Sequence, residues 1–428
     1  MSRTWDLSAG TGGQPAHPGL RGWGFALLLL ATVASFCGYV LLLPLVPLWA
    51  ARGGASEFGA GSTTSAFMLA TVLTQLAMPW LLARGGYRWT LPAGAVLLGA
   101  PAPLLLLTTD LAPLLVLSAL RGVGFGMVTV AGAAMAVRLV PSSQMGRASG
   151  YYGMAVGLPN LVLLSAGVWL ALHAGFSAVF WTAGLAPVLG AVAAAAIGRV
   201  SGGTVAPAEP ESTAETPDPE ASRSRGRMYA ALAVPLVVML LPAIASSGIV
   251  TFLPIPLENA SGAVTAALLV FGAAMVASRW LGGLLSDRRG RPCLLLPAAA
   301  SAVAGMGLVA AGLWPAQEGW AGPGGAGTAL VVAGAALFGA GFGGVQNDTI
   351  VLMFRRCGPR AYGTASAAWN IGYDAGTGAG SLGLGLAIQH VGYGPGFAAA
   401  SVAMLACLPL SLAMAGRSGP SRDRGSPQ

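Results

Sequence analysis

Twelve long apolar stretches run along the chain, six on each side of a single Pro/Glu/Arg-rich interval at Val200–Arg227, and almost all the arginines fall in alternate gaps between them. About 20 helical residues rising 1.5 Å each cover the roughly 30 Å of a bilayer's hydrocarbon, so each stretch has the length of a membrane span. They begin near Trp23, Glu57, Trp89, Ala112, Gly146, Phe176, Met228, Ser261, Pro292, Gly327, Ala361 and Gly394. With 55% hydrophobic and 8% charged residues, the chain lacks the polar surface to enclose a soluble core of 428 residues. A mean hydropathy of +0.72 makes the bilayer the expected solvent. The first stretch, Trp23 to Trp49, exceeds a signal-peptide core and has no small-residue cleavage pattern, so it counts as a span of its own.

The arginines set the expected orientation. Arg3 and Arg21 precede span 1, Arg84 and Arg88 lie between spans 2 and 3, Arg138 and Arg147 flank the 4–5 gap, and Arg223, Arg225 and Arg227 lie in the central interval. Arg288, Arg289 and Arg291 follow in the 8–9 gap, Arg355, Arg356 and Arg360 in the 10–11 gap, and Arg417, Arg422 and Arg424 in the tail. The opposite gaps hold Glu57, Asp110, Glu258 and Glu318 with one arginine, Arg52. Positive charge marks the cytoplasmic side, so both termini are expected there. The net charge of +8 then reports topology, not a nucleic-acid partner.

The expected domains are a cytoplasmic tail (1–22), a six-helix bundle (23–199), a disordered linker (200–227), a second bundle (228–415) and a second tail (416–428). The linker mixes Glu209, Glu211, Glu215, Asp218 and Glu220 with prolines and serines, a composition that buries too little apolar area to order itself. Cys37, Cys293, Cys357 and Cys407 have no metal-ligand spacing, and His17, His173 and His390 no nucleophile nearby. The Gly322–Gly327 run lacks the Lys-Ser/Thr that follows a phosphate-binding loop. No enzyme, cofactor or ATP site is readable, so any transport has to draw on an ion or substrate gradient.

The two halves repeat each other. Arg147-Ala-Ser-Gly150 at the start of span 5 matches Arg360-Ala-Tyr-Gly363 at span 11, Gly124-Phe-Gly126 in span 4 matches Gly341-Phe-Gly343 in span 10, and Arg84-Gly-Gly86 corresponds to Arg288-Arg-Gly290. Matches in one order and in equivalent spans indicate an internal duplication. The 8–9 loop reads Gly283-Leu-Leu-Ser-Asp287-Arg288-Arg289-Gly290-Arg291. Gly283 permits close helix approach, Asp287 can accept charge-assisted bonds, and Gly290 permits a tight turn, so the loop can act as a latch.

At this loop the chain resembles the major facilitator superfamily, whose signature G-x-L-x-D-R-x-G-R it matches. The resemblance implies an all-α membrane protein with twelve transmembrane helices in two pseudo-symmetric six-helix bundles. It also implies gating by Gly283, Asp287, Arg288, Gly290 and Arg291. The equivalent first-half loop, Pro79-Trp-Leu-Leu-Ala83-Arg84-Gly-Gly86-Tyr87-Arg88, has lost the acidic residue, which leaves Arg84 and Arg88 as its gating candidates. Arg121-Gly-Val-Gly124-Phe-Gly126 is similar to the family's arginine-bearing fourth helix, which is associated with proton coupling. Gly153-x3-Gly157-Leu158-Pro159 is similar to an element of drug and metabolite antiporters, with the proline displaced by one position; the same residues also suit plain helix packing and kinking.

Charges within spans are costly, about 2.5–3.5 kcal/mol each on insertion scales, and therefore informative. Arg121 and Asp374 lie near the midplane and are the expected proton-coupling pair, with Asp374 as the protonatable switch. Arg279 and Asp348 lie roughly two turns from the arginine-rich ends of spans 8 and 10 and are expected to form a gating or structural pair. Tyr39, Gln75, Asn160, Gln346, Asn347, Trp369, Asn370 and Tyr373 are the substrate-binding candidates, Trp280 shares with Trp369 a candidate stacking role, and Trp49, Trp80, Trp89, Trp169 and Trp181 are expected at the interfaces. The combined expectation is a monomeric proton-coupled exporter of a small, neutral, zwitterionic or amphipathic compound in a bacterial cytoplasmic membrane. An importer of a metabolite or sugar and a transport-inactive sensor are the alternatives.

Overall fold

The computed structural model describes residues 19–200, 219–289, 292–314, 324–357 and 362–416. Its helices are α1 (Trp23–Leu42), α2 (Leu45–Arg52), α3 (Glu57–Gly99), α4 (Leu111–Arg138), α5 (Met145–Ala174), α6 (Phe176–Val200), α7 (Pro219–Ser247), α8 (Ser261–Arg289), α9 (Leu295–Leu313), α10 (Gly325–Cys357), α11 (Tyr362–Val391), α12 (Tyr393–Met404) and α13 (Cys407–Gly416). Among the described residues ten segments are long and apolar enough to cross a membrane. One of them, Glu57–Leu107, holds two of the expected spans. Within it α3 is broken at Gly86, whose φ of 57° and ψ of 175° are non-helical. Glycine takes that conformation without a Cβ penalty, and it does so between Arg84 and Arg88, where the arginine pattern places a loop. α11 has the length of a span but carries Asn370, Asp374 and several glycines, and it is not among the ten. With α3 counted as two legs, α1 joined to α2 and α12 to α13, the helices map onto the twelve expected spans.

The linker and tails fall largely on residues 1–18, 201–218 and 417–428, outside the described ones, as do Gly290 and Arg291. The linker's last part needs correcting: 219–227 is already helical, because α7 begins at Pro219. Proline followed by an acidic residue suits a helix N-terminus, where the missing N–H is no loss.

The duplication is visible in the packing. A methyl group added at Gly122 would strike the Phe67 carbonyl oxygen, and one at Gly126 would sit 2.8 Å from that of Thr71. In the second half Gly339 meets the Phe271 carbonyl and Gly343 that of Met275. Gly124 lies against the backbone of Gly94 and Leu98, as Gly341 lies against Ala298 and Ala302. Glycines on opposite faces of α4, Gly122 and Gly126 on one and Gly124 on the other, thus clamp it between the two legs of α3, and Gly339, Gly343 and Gly341 clamp α10 between α8 and α9 in the same way. The halves meet along the first leg of α3 with α11, and α5 with α8.

Candidate functional site

The ties between the halves begin at the end opposite the arginine-rich loops. There Arg52 Nε donates to Glu258 Oε1 at 2.6 Å, with its guanidinium 4.4 Å from the Phe176 ring centroid. Tyr393 donates its hydroxyl to Glu57 Oε1 at 3.5 Å. Deeper along the same seam Gly61 packs on the Ser381 carbonyl, and Ser65 Oγ donates to the Gly378 carbonyl at 2.7 Å. The deepest tie is Gln75 Nε2 donating to Asp374 Oδ2 at 2.8 Å. Among the described residues no hydrogen bond or ion pair joins the halves further toward the arginine-rich end. On α5, methyl groups added at Gly146, Gly150, Gly153 and Gly157 would meet nothing within 4 Å. Gly153 and Gly157 are therefore not the helix-packing positions that their spacing implies, although Pro159 beside them is buried.

The Gln75–Asp374 contact exists because α11 is glycine-rich. A Cβ at Gly378 would lie 2.9 Å from Met68 Cβ, and one at Gly376 2.8 Å from Ala243 Cβ, so α11 sits close to both α3 and α7 and carries Asp374 to the seam. Both side chains are buried, at 7% and 6% exposure. Gln75 Nε2 also lies 3.4 Å from Thr129 Oγ1, whereas Gln75 Oε1 is buried with no hydrogen-bond partner.

Next to Asp374 the rings stack in a ladder. Phe342 and Tyr373 lie 6.0 Å apart at 12°, and Tyr373 and Trp369 6.0 Å apart at 18°. Trp369 is fixed by donating Nε1 to Thr349 Oγ1 at 3.1 Å. The ladder ends under Arg279, whose Cζ lies 5.5 Å from the Trp369 centroid and whose Nη1 donates to Gln346 Oε1 at 3.0 Å. Gln75, Asp374, Tyr373, Trp369, Gln346 and Arg279 thus form a connected set, with the Asn370 amide, exposed and donating to the Ser366 carbonyl, one turn below Asp374.

Several expectations change. Arg121 is buried and meets no carboxylate: Nε donates to the Leu98 carbonyl at 3.2 Å and Nη2 to the Gly38 carbonyl at 3.1 Å. It staples three helices in the first half and does not pair with Asp374. Tyr39 is core, its ring 4.0 Å from that of Phe125 and stacked on Phe67. The cavity it lines with Thr63, Thr64, Ser118 and Arg121 has about 20 Å³, room for a water and no substrate. Asn160 donates to the Val156 carbonyl of its own helix. Asn347 packs on Gly282 and donates to Asp348 Oδ1, so it supports that carboxylate and does not line the site.

Arg279 and Asp348 do not pair. Asp348 Oδ2 instead accepts the Leu294 backbone N–H at 2.7 Å and caps the start of α9. That bond holds the 8–9 connection where a latch by Asp287 is expected; Asp287 and Arg288 are exposed, and Asp287 has no partner among the described residues. The close approach falls on Gly282, where an added Cβ would lie 3.1 Å from Asn347 Nδ2, while Gly283 has only an ordinary 3.6 Å contact with Asn347 Oδ1. Arg84 and Arg88 lie over Trp80 and Trp89 at 4.1 and 5.6 Å, contacts within their own helix legs, and Arg138 from α4 covers Tyr87. Trp49 is packed inward, donating to the Leu105 and Thr108 carbonyls, and Trp280 points outward at 65% exposure.

The sequence reading passed over the Arg52–Glu258 tie, although Arg52 stood out as the one arginine on its side. Ser65, Thr129 and Thr349 gave no signal, since a single hydroxyl in an apolar span is common.

The comparisons with known proteins agree with this architecture. A family model described as Major Facilitator Superfamily matches residues 28–381. No curated protein matches the sequence. Among solved structures, a bacterial homologue of the human lysosomal transporter Spinster, in an inward-facing and occupied conformation, superposes with a TM-score of 0.70 at 14% identity, over 97% of this chain and 100% of that one. A peptide transporter of the POT type in complex with sulfate gives 0.73 at 13% identity, over 92% and 95%. The nucleoside transporter NupG gives 0.64 at 12% identity, over 91% and 99%.

Proposed function

The chain belongs to the major facilitator superfamily, and from that premise we propose that it is a proton-coupled exporter that moves a small drug-like compound or metabolite by rocker-switch alternating access. The observation that carries the reading is the Gln75–Asp374 bond, the deepest tie between the halves. With Asp374 charged, it accepts one N–H while Gln75 Oε1 stays buried and unpaired. With Asp374 protonated, it becomes donor and acceptor at once and can satisfy both ends of the amide. An unpaired buried acceptor costs about 1–3 kcal/mol. Relieving it biases a two-state equilibrium about 5- to 150-fold toward the arrangement in which the halves touch here.

Placing the arginine-rich end in the cytoplasm, as the charge pattern favours, gives that bias a direction. A proton taken from outside favours the state tied at the outer end and free at the inner one. Its release inside loosens the seam and lets a loaded carrier turn outward. The membrane potential adds about 2.3 kcal/mol per charge per 100 mV. Peptide and nucleoside transporters that share the architecture support a small organic substrate, and a monomeric carrier in the cytoplasmic membrane belongs to the same proposal.

The test is accumulation of a panel of fluorescent compounds in cells lacking their own exporters, with and without a protonophore. Lower accumulation that the protonophore reverses supports export. Higher accumulation replaces it with uptake, and full proton-driven transport in Asp374→Asn removes Asp374 from the mechanism.

A further inference from the structure

Arg279 is the charged residue that the proton-coupling account leaves unused. It lies ten residues before the end of α8, about 15 Å along the helix axis, well inside the span. Yet its side chain is exposed, whereas Arg121 in the first half is 3% exposed. The two arginines also differ in their partners. Arg121 donates to two backbone carbonyls. Arg279 makes one hydrogen bond, to the neutral Gln346 Oε1, and no ion pair among the described residues. A guanidinium has five N–H donors in a planar fork, so most of this fork is unused.

The charge is held in place even so. Gln346 is 3% exposed and Trp369 6%, and Trp369 is pinned by its bond to Thr349 and by its stack on Tyr373. The guanidinium lies over that ring in cation–π geometry, which orients it without neutralising it. Two carboxylates could have neutralised it and do not: Asp348 caps α9, and Asp374 is bound to Gln75 across the seam. A charge this deep in a span, ordered on two sides and left without a counter-ion, is built to receive one.

We propose that Arg279, seated on Gln346 and Trp369, is the recognition site for an oxyanion, a carboxylate or a phosphate, carried by the transported compound. This rests on the transport reading and narrows the substrate to compounds with an anionic group; it does not depend on proton coupling or direction. The fork grips two oxygens of such a group, as arginine does with carboxylate and phosphate generally.

The experiment uses the full-length protein in detergent and the arginine reagent phenylglyoxal, with modification at Arg279 followed by peptide mass mapping. Sodium phosphate, sodium benzoate and the neutral benzamide are compared at matched ionic strength. The expected result is that Arg279 reacts, Arg121 does not, and one or both oxyanions slow the Arg279 reaction about tenfold, as 90% occupancy would, while benzamide leaves it unchanged. Protection by phosphate alone assigns phosphate esters, and by benzoate alone assigns carboxylates. An unreactive Arg279, no protection by either anion, or equal protection by benzamide overturns the proposal. As a second readout, the oxyanion that protects raises the thermal midpoint of the parent protein and not of Arg279→Gln; an equal rise in both overturns it. Neither measurement involves transport, so failure of the export reading in the accumulation assay would appear separately.

Discussion

Arg121 in the first bundle donates to the carbonyls of Gly38 and Leu98, while Arg279 in the second donates to a side-chain amide and lies open over Trp369. Around these unlike charges the helix packing is alike. Phe67 and Thr71 receive Gly122 and Gly126 as Phe271 and Met275 receive Gly339 and Gly343. Continuing at the same spacing, the position after Thr71 that corresponds to Arg279 is Gln75. One equivalent site therefore holds a neutral amide that reaches across to Asp374, and the other a cation that stays within its own half. Duplication fixed the backbone clamps, where a Cβ has no room, and left the side chains facing the seam free to diverge into unlike halves of one site.

That comparison can be broken most severely at the clamps. Gly122→Val and Gly339→Val should each cost about 3 kcal/mol or more, since overpacking here displaces backbone. The check is the monodisperse fraction of detergent-extracted protein on size-exclusion chromatography. If one half tolerates its valine while the other collapses, the two clamps are not equivalent.

The arginines should separate next. Arg121→Gln is expected to lower stability by about 2 kcal/mol through lost charge-assisted bonds to two helices, and Arg279→Gln by less than about 1 kcal/mol. Thermal unfolding of the purified variants measures the contrast, and equal losses would make Arg279 as structural as Arg121.

The acids sharpen it further. Asp348→Asn should cost about 1 kcal/mol, in the range of lost helix caps, and leave any proton dependence of transport intact. Asp374→Asn should do the reverse, keeping stability while flattening the response of transport to a pH step. A pH response unchanged in Asp374→Asn would return that pair to simple packing.

The smallest effect is at the outer tie. Arg52 and Glu258 are partly exposed, so a double-mutant cycle should give a coupling below about 1 kcal/mol that fades with added salt. A larger, salt-resistant coupling would make this pair a main lock.

Much of the site was readable in advance, for different reasons at different residues. Asp374, Gln75, Gln346, Trp369 and Tyr373 stood out because polar groups in an apolar span are costly, and the structure brings them together. Tyr39 and Asn347 stood out for the same reason and turned out to serve packing and helix capping; cost shows that a residue has a role and not which one. The Arg279–Asp348 pair failed because opposite charges at similar depth invite pairing, while the start of α9, bringing Leu294 N–H to Asp348, depends on how three helices converge. Gly153 and Gly157 failed because a glycine spacing is the same whether a neighbour is present or the space is empty.

What the sequence determined by itself was the solvent, the helices and the repeat, because hydropathy, arginine placement and glycine spacing act along the chain and need no partner. The break at Gly86 lay within that reach, as a glycine between two arginines. Only the tertiary structure decided which charges meet. Hydrogen bonds reach about 3 Å, and residues as far apart as Gln75 and Asp374, or Arg52 and Glu258, come within that distance only when two bundles close on one another.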